Sequence, residues 1–119
     1  LIERDDIVLI SLQKDGGSQE LAALADRSQV IDPTHMIKDF GDTAALIETL
    51  DVVISCDSAP LHLSGALGKR AIAVLPHVAE WRWGRDGDRT PWYPSMTLVR
   101  QPKAGDWHAV FDVVKKALR

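Results

Sequence analysis

Apolar residues in this chain come as short continuous runs alternating with stripes of helical period, the pattern of an α/β domain. Residues 7–12 (IVLISL), 52–54 (VVI) and 71–75 (AIAVL) are runs of strand length in which β-branched or small residues dominate. Such runs suit strands covered on both faces. Residues 29–32 (QVID), closed by Pro33, predict a shorter strand, and residues 97–99 a short edge strand. Between the runs, Ser18 is placed to cap a helix carrying Leu21, Ala22, Leu24 and Ala25, with Glu20 in its first turn. Asp42 is placed to cap a second helix, in which Leu46, Ile47 and Leu50 make the apolar stripe. Asp106 does the same for a last helix with Trp107, Val110, Phe111, Val114 and Leu118 on one face.

The order predicts one Rossmann-like, three-layer α/β/α domain over residues 1–119 with a mainly parallel sheet. The most economical strand order is 2-1-3-4-5. That order brings the loops after the first and third strands together at the switch point, where such sheets bind ligands. The first loop carries Gln13 and Lys14, and the other carries Asp57 and Ser58.

Residues 51–68 organise the rest. Asp57 closes the run that ends in the small Ser55 and Cys56. Ser58 is placed as a helix cap, and Pro60 falls in the first turn, where its missing N–H costs nothing. Leu63 and Leu67 recur four apart, Gly65 and Ala66 allow close packing, and Gly68 supplies the stop. A strand, a turn and a helix whose free amides face the strand tip attract anions, phosphates above all. The Ser58 hydroxyl, the Ala59 amide and His62, one turn along, gather at that mouth with Lys14 as a point charge. Asp57 is suited to accepting hydrogen bonds from sugar hydroxyls or to holding the turn.

Composition changes this picture little. The net charge of −3, from 14 basic and 17 acidic residues without a basic block, argues against a nucleic-acid partner. The lone Cys56 excludes an internal disulfide and reads as packing in a buried strand. No run reaches membrane-span length, and no signal peptide is visible, which predicts a cytoplasmic location. The chain opens on Leu1-Ile2 without a methionine and so reads as a segment of a longer protein. The four histidines lack metal-ligand spacing, so neither a metal nor a cofactor is expected. Residues 77–95, rich in Trp, Arg, Gly and Pro, form a long connection of the kind that is functional or packed as a surface excursion.

The run Asp57-Ser58-Ala59, with His62-Leu63, Gly65-Ala66-Leu67-Gly68 behind it, resembles the donor-site motif of ADP-heptose:LPS heptosyltransferase-like proteins. These are two-domain GT-B glycosyltransferases. Ser11-Leu12-Gln13-Lys14, Trp81-Arg82-Trp83, Pro91-Trp92-Tyr93-Pro94 and Gly105-Asp106-Trp107 resemble the bacterial members that often follow tetratricopeptide repeats. Ser58 stands where a threonine is usual. The resemblance implies a nucleotide diphosphate sugar as donor substrate, held in this C-terminal domain. Gln13, Lys14, Asp57, Ser58, Ala59 and His62 would then serve the diphosphate and sugar. The base would lie near residues 34–37, with Met36 against its face, and Arg82 would stand near the diphosphate. The aromatic motifs would either pack their loop or wall the sugar pocket. The resemblance also implies an acceptor domain outside this chain, so that these residues alone would not turn over; a homo-oligomer stays open. One alternative is a binding module that keeps nucleotide-sugar affinity without activity. Another is a receiver-like signalling domain phosphorylated on Asp57, which would need Mg²⁺-binding carboxylates where Ser11-Leu12-Gln13-Lys14 stand. A cysteine nucleophile at Cys56 lacks the phosphate-loop arginine, because His62 occupies its position.

Overall fold

The computed structural model describes residues 1, 4–14 and 30–119. The helix expected after Ser18 lies outside the described residues. Strands and helices alternate in an α/β architecture whose described strand pairs are all parallel. The chain divides into two compact units, Leu1–Thr43 and Ala44–Arg119.

In the first unit, β1 (Leu9–Ile10) pairs in parallel with β2 (Val30–Ile31). Both are shorter than their apolar runs suggested. Leu9 and Ile10 are half-buried, while Val8 and Ile31 are 59% and 53% exposed. The expectation of full cover on both faces therefore does not hold for β1. A short 3₁₀ turn, Thr34–Met36, follows Pro33, and its threonine hydrogen-bonds the Asp32 carboxylate. Helix α1 (Phe40–Thr49) begins three residues earlier than the pattern implied. Asp39, not Asp42, is its cap: the Asp39 carboxylate accepts from the Asp42 amide at 2.9 Å. Asp42 instead accepts from the Lys38 amide at 2.8 Å, so the two acids tie the helix start from both sides.

The second unit is built on three strands in the order β3 (Val53–Ser55), β4 (Ala71–Leu75) and β5 (Met96–Arg100). Both runs of neighbours occur in the expected order 2-1-3-4-5. The remaining step, first strand to third, is not among the described pairings. Strand β4 is central and buried at all five positions, as an apolar run without polar alternation requires. Helix α2 (Ala59–Ala66) packs on β3 and β4 through the fully buried Leu61, and α3 (Trp107–Ala117) packs on β5.

The ends of both helices are specified locally. After α2 the Lys69 amide donates to the Ser64 carbonyl and the Gly68 amide to the Gly65 carbonyl, with Gly68 at φ +69°. This is the left-handed stop that glycine makes without strain. Asp106 caps α3 by accepting from the Ala109 amide at 3.2 Å, and Arg70 closes its other end on the Ala117 carbonyl at 2.6 Å. Val110 and Val114 are the buried stripe of α3. Trp107 and Phe111, expected in the core, lie on the flank of that stripe and remain 40% and 38% exposed. No helix among the described residues is long and apolar enough to cross a membrane.

Candidate functional site

Strand β3 stops at Ser55, and the turn of Cys56, Asp57 and Ser58 leads into α2. Cys56 therefore falls beyond the covered stretch and is exposed, which corrects its reading as a packed core thiol. Ser58 occupies the cap position in an extended conformation, but its hydroxyl does not cap. It pairs with the Ser55 hydroxyl at 2.7 Å, locking the strand end to the helix start. The Ser58 carbonyl accepts the Leu61 and His62 amides. Pro60, in the first turn, has no amide to satisfy.

Around this turn, side chains from three segments converge. The imidazole of His62 lies between Asp57 and Tyr93: Nε2 is 2.9 Å from Asp57 Oδ1 and Nδ1 is 2.9 Å from the Tyr93 hydroxyl. The second Asp57 oxygen accepts from the Trp83 indole N–H at 3.0 Å. The Trp83 ring, 2% exposed, also stacks on His62 with centroids 5.4 Å apart, and Tyr93 meets the imidazole edge-on. Tyr93 can come this close because α2 carries glycine at position 65. A Cβ there would lie 2.4 Å from the phenol ring.

The loop that supplies these aromatics is held from β5. Arg100 donates to the carbonyls of Gly84, Gly87 and Asp86 at 3.1, 3.1 and 3.3 Å, and also to the Trp83 carbonyl. Gly84 and Gly87 both adopt positive φ in that loop, at +70° and +82°. Arg82, in the 3₁₀ turn Trp81–Trp83, is paired with Glu80. Its backbone carbonyl accepts the Trp92 indole N–H at 3.0 Å. His62, Trp81, Arg82, Trp92 and Tyr93 together line a pocket of about 290 Å³. Trp81 and Trp92 stay 77% and 58% exposed, whereas Trp83 is core. Trp83 therefore packs its loop onto the domain, while Trp81 and Trp92 line the pocket.

Burial pushes the Asp57 carboxyl up. The hydrogen bonds from Trp83 and His62, with the electrostatic pull of His62 and Arg82, outweigh that and hold it below its ordinary 3.8. A carboxyl depressed by folding adds stability above its unfolded value, and that stability is lost as pH falls through the lower folded value. Acid unfolding below about pH 4 is therefore expected to be shallower in Asp57→Asn than in the parent, as followed by circular dichroism. An unchanged acid limb would show that the Asp57 contacts do not persist in solution.

Of the residues the sequence singled out, Asp57, Ser58, Ala59 and His62 share one end of α2, and Arg82 joins His62 on the pocket wall. Gln13, Lys14 and Met36 belong to the first unit. There the Gln13 amide donates to the Ser11 hydroxyl, and Lys14 reaches the Lys38 carbonyl at 3.4 Å. Met36 is 67% exposed, so it does not fill a core gap. Tyr93 and Arg100 were not singled out as site residues. The Pro91-Trp92-Tyr93-Pro94 cluster was a signal for the first, whereas nothing near Arg100 in sequence marks its role.

The model of glycosyltransferase family 9 (heptosyltransferase) matches residues 1–110. The chain belongs to glycosyltransferase family 9. Among curated relatives it is similar to Protein FlbA of Caulobacter vibrioides, 30% identical over 118 residues. That alignment covers 95% of this chain but only 19% of FlbA, so the chain spans about a fifth of that relative. No solved structure matches it. Membership of family 9 is at odds with the receiver-like alternative, and Asp57 is already occupied on both oxygens by His62 and Trp83.

Proposed function

We propose that the pocket at the mouth of α2 holds part of a nucleotide diphosphate sugar, as the donor side of a sugar transfer to an acceptor outside this chain. The observation that carries this reading is the convergence of His62, Tyr93 and Arg82 with two exposed indoles on one cavity beside a helix N-terminus. Indole faces suit the apolar face of a sugar ring, while a guanidinium suits phosphate oxygens. The volume, just below the roughly 300–1,000 Å³ typical of small-molecule sites, suits a sugar ring or a diphosphate rather than a whole nucleotide sugar. When the bond between sugar and diphosphate breaks, negative charge collects on the departing phosphate. Donors already fixed around it stabilise that charge more than they strengthen ground-state binding. Gln13, Lys14 and Met36 are proposed as ligand contacts of the first unit taken by itself, and the acceptor side as the work of another domain.

A thermal-shift panel of UDP, GDP, ADP and CMP with their sugars tests the reading. One family of nucleotides is expected to raise the melting temperature. Arg82→Ala is expected to weaken that ligand about tenfold, the value of one charge-assisted hydrogen bond. No stabilisation by any nucleotide or nucleotide sugar would overturn the donor assignment. Binding without sugar transfer, measured with the acceptor domain present, would leave a binding module.

A further inference from the structure

His62 is the side chain the sequence offers to a phosphate, yet both of its ring nitrogens are already engaged, one by Asp57 and one by Tyr93. The Asp57 carboxylate carries no proton to give, so the nitrogen facing it, Nε2, must be the N–H donor. In the neutral ring Nδ1 is then bare and accepts from the Tyr93 hydroxyl. Held in that way, the phenol spends its only proton on His62 and offers a ligand nothing but lone pairs. When His62 gains a proton from solvent, Nδ1–H donates to the Tyr93 oxygen, and the phenolic O–H is released to turn outward.

We propose that Tyr93 makes the polar contact between this wall of the pocket and a phosphate oxygen of the donor, and that protonation of His62 is what turns the Tyr93 hydroxyl into a donor for it. The inference rests on the donor reading given above. No covalent bond changes: one proton moves from solvent to His62 Nδ1, and one hydrogen bond is redirected. The charged and titratable groups facing the imidazole are Asp57 from the turn after β3 and Tyr93 from the loop before β5. Arg82, with its partner Glu80, acts on both of these from the pocket wall. Trp83 covers the imidazole face and carries no charge. Gly65 is the reason that the phenol reaches Nδ1 at all.

Two measurements decide it. Without ligand, long-range ¹⁵N spectra of the imidazole are expected to show neutral His62 protonated on Nε2, with the Nδ1 signal displaced in Tyr93→Phe. The opposite tautomer would overturn the proposal whatever the protein binds. With ligand, the probes are UDP-glucose, ADP-glucose and GDP-mannose, whose diphosphates do not titrate near neutral pH. Calorimetry of the best binder in buffers of different ionisation enthalpy is expected to show proton uptake, up to about one per ligand, with affinity rising as pH falls. Tyr93→Phe keeps the ring over Gly65, so it is expected to fold normally. It should bind about tenfold more weakly at the low end of the pH range and show no proton uptake. Tight binding without proton uptake, or with uptake unchanged in Tyr93→Phe, overturns the role given to Tyr93 and leaves the donor reading standing. Failure of all three sugars to bind overturns the donor reading and this inference with it.

Discussion

Gly65→Ala is expected to lose roughly 1–3 kcal/mol of stability, although alanine is normally the better helix former. Position 65 lies inside α2, where exchanging glycine for alanine in open surroundings gains about 0.5–1 kcal/mol. Here the added methyl would stand 2.4, 2.5 and 2.8 Å from three carbons of the Tyr93 ring. Either the phenol or the helix must shift. Tyr93 carries the hydrogen bond to His62, so ligand binding should fall together with the melting temperature. A double-mutant cycle separates the causes. In a Tyr93→Ala background the same Gly65→Ala change is expected to reverse sign and stabilise, because only its helix propensity is left. A destabilisation of the same size in both backgrounds would mean that the phenol does not rest on Gly65 in solution.

Arg100→Ala is the second large effect. One guanidinium ties four carbonyls of one loop, those of Trp83, Gly84, Asp86 and Gly87, to the end of β5. Two of those residues are glycines at positive φ, a backbone with little preference of its own for this path. Losing the charged donor is expected to cost about 2–3 kcal/mol, the usual scale for hydrogen bonds to a charged group in a half-buried setting. Arg100→Lys should recover little of it, because an ammonium cannot reproduce the planar fork. The pocket should suffer beyond the melting point. Trp83 is the residue whose indole holds Asp57, and its carbonyl is one of the four. Ligand affinity is therefore expected to fall in Arg100→Lys even at temperatures where it is fully folded. Equal affinity in Arg100→Lys and the parent would show that the loop keeps its path without the clamp.

What could be read from the sequence was what local chemistry dictates. Strand β4 matched its apolar run residue for residue, since burial on both faces leaves no room for polar alternation. Asp106 capped its helix as expected, and Gly68 ended α2 as its lack of a Cβ allows. The residues at the mouth of α2 followed from the same strand-turn-helix logic. What could not be read depends on partners far along the chain. The fit of Tyr93 on Gly65 joins positions 28 apart, and the Asp57–Trp83 bond joins positions 26 apart. Ser58 has the right type and place for a cap, but Ser55 three residues back competes for its hydroxyl. Asp39 and Asp42 were interchangeable by type, and the cap fell to the one that let the helix start a turn sooner. Trp107 and Phe111 fit the helical period, yet the stripe is narrower than the period permits.

The tryptophan side chains provide the most direct probe of where a donor binds, because four indoles are distributed over distinct environments. In proton–nitrogen spectra of the uniformly labelled protein, adding the nucleotide sugar that stabilises it best should move the indole N–H signals of Trp81 and Trp92, which line the pocket. The signal of Trp107, on α3, should stay in place. Binding that leaves the Trp81 and Trp92 signals unmoved, or that shifts Trp107 alone, would place the ligand elsewhere and contradict the site.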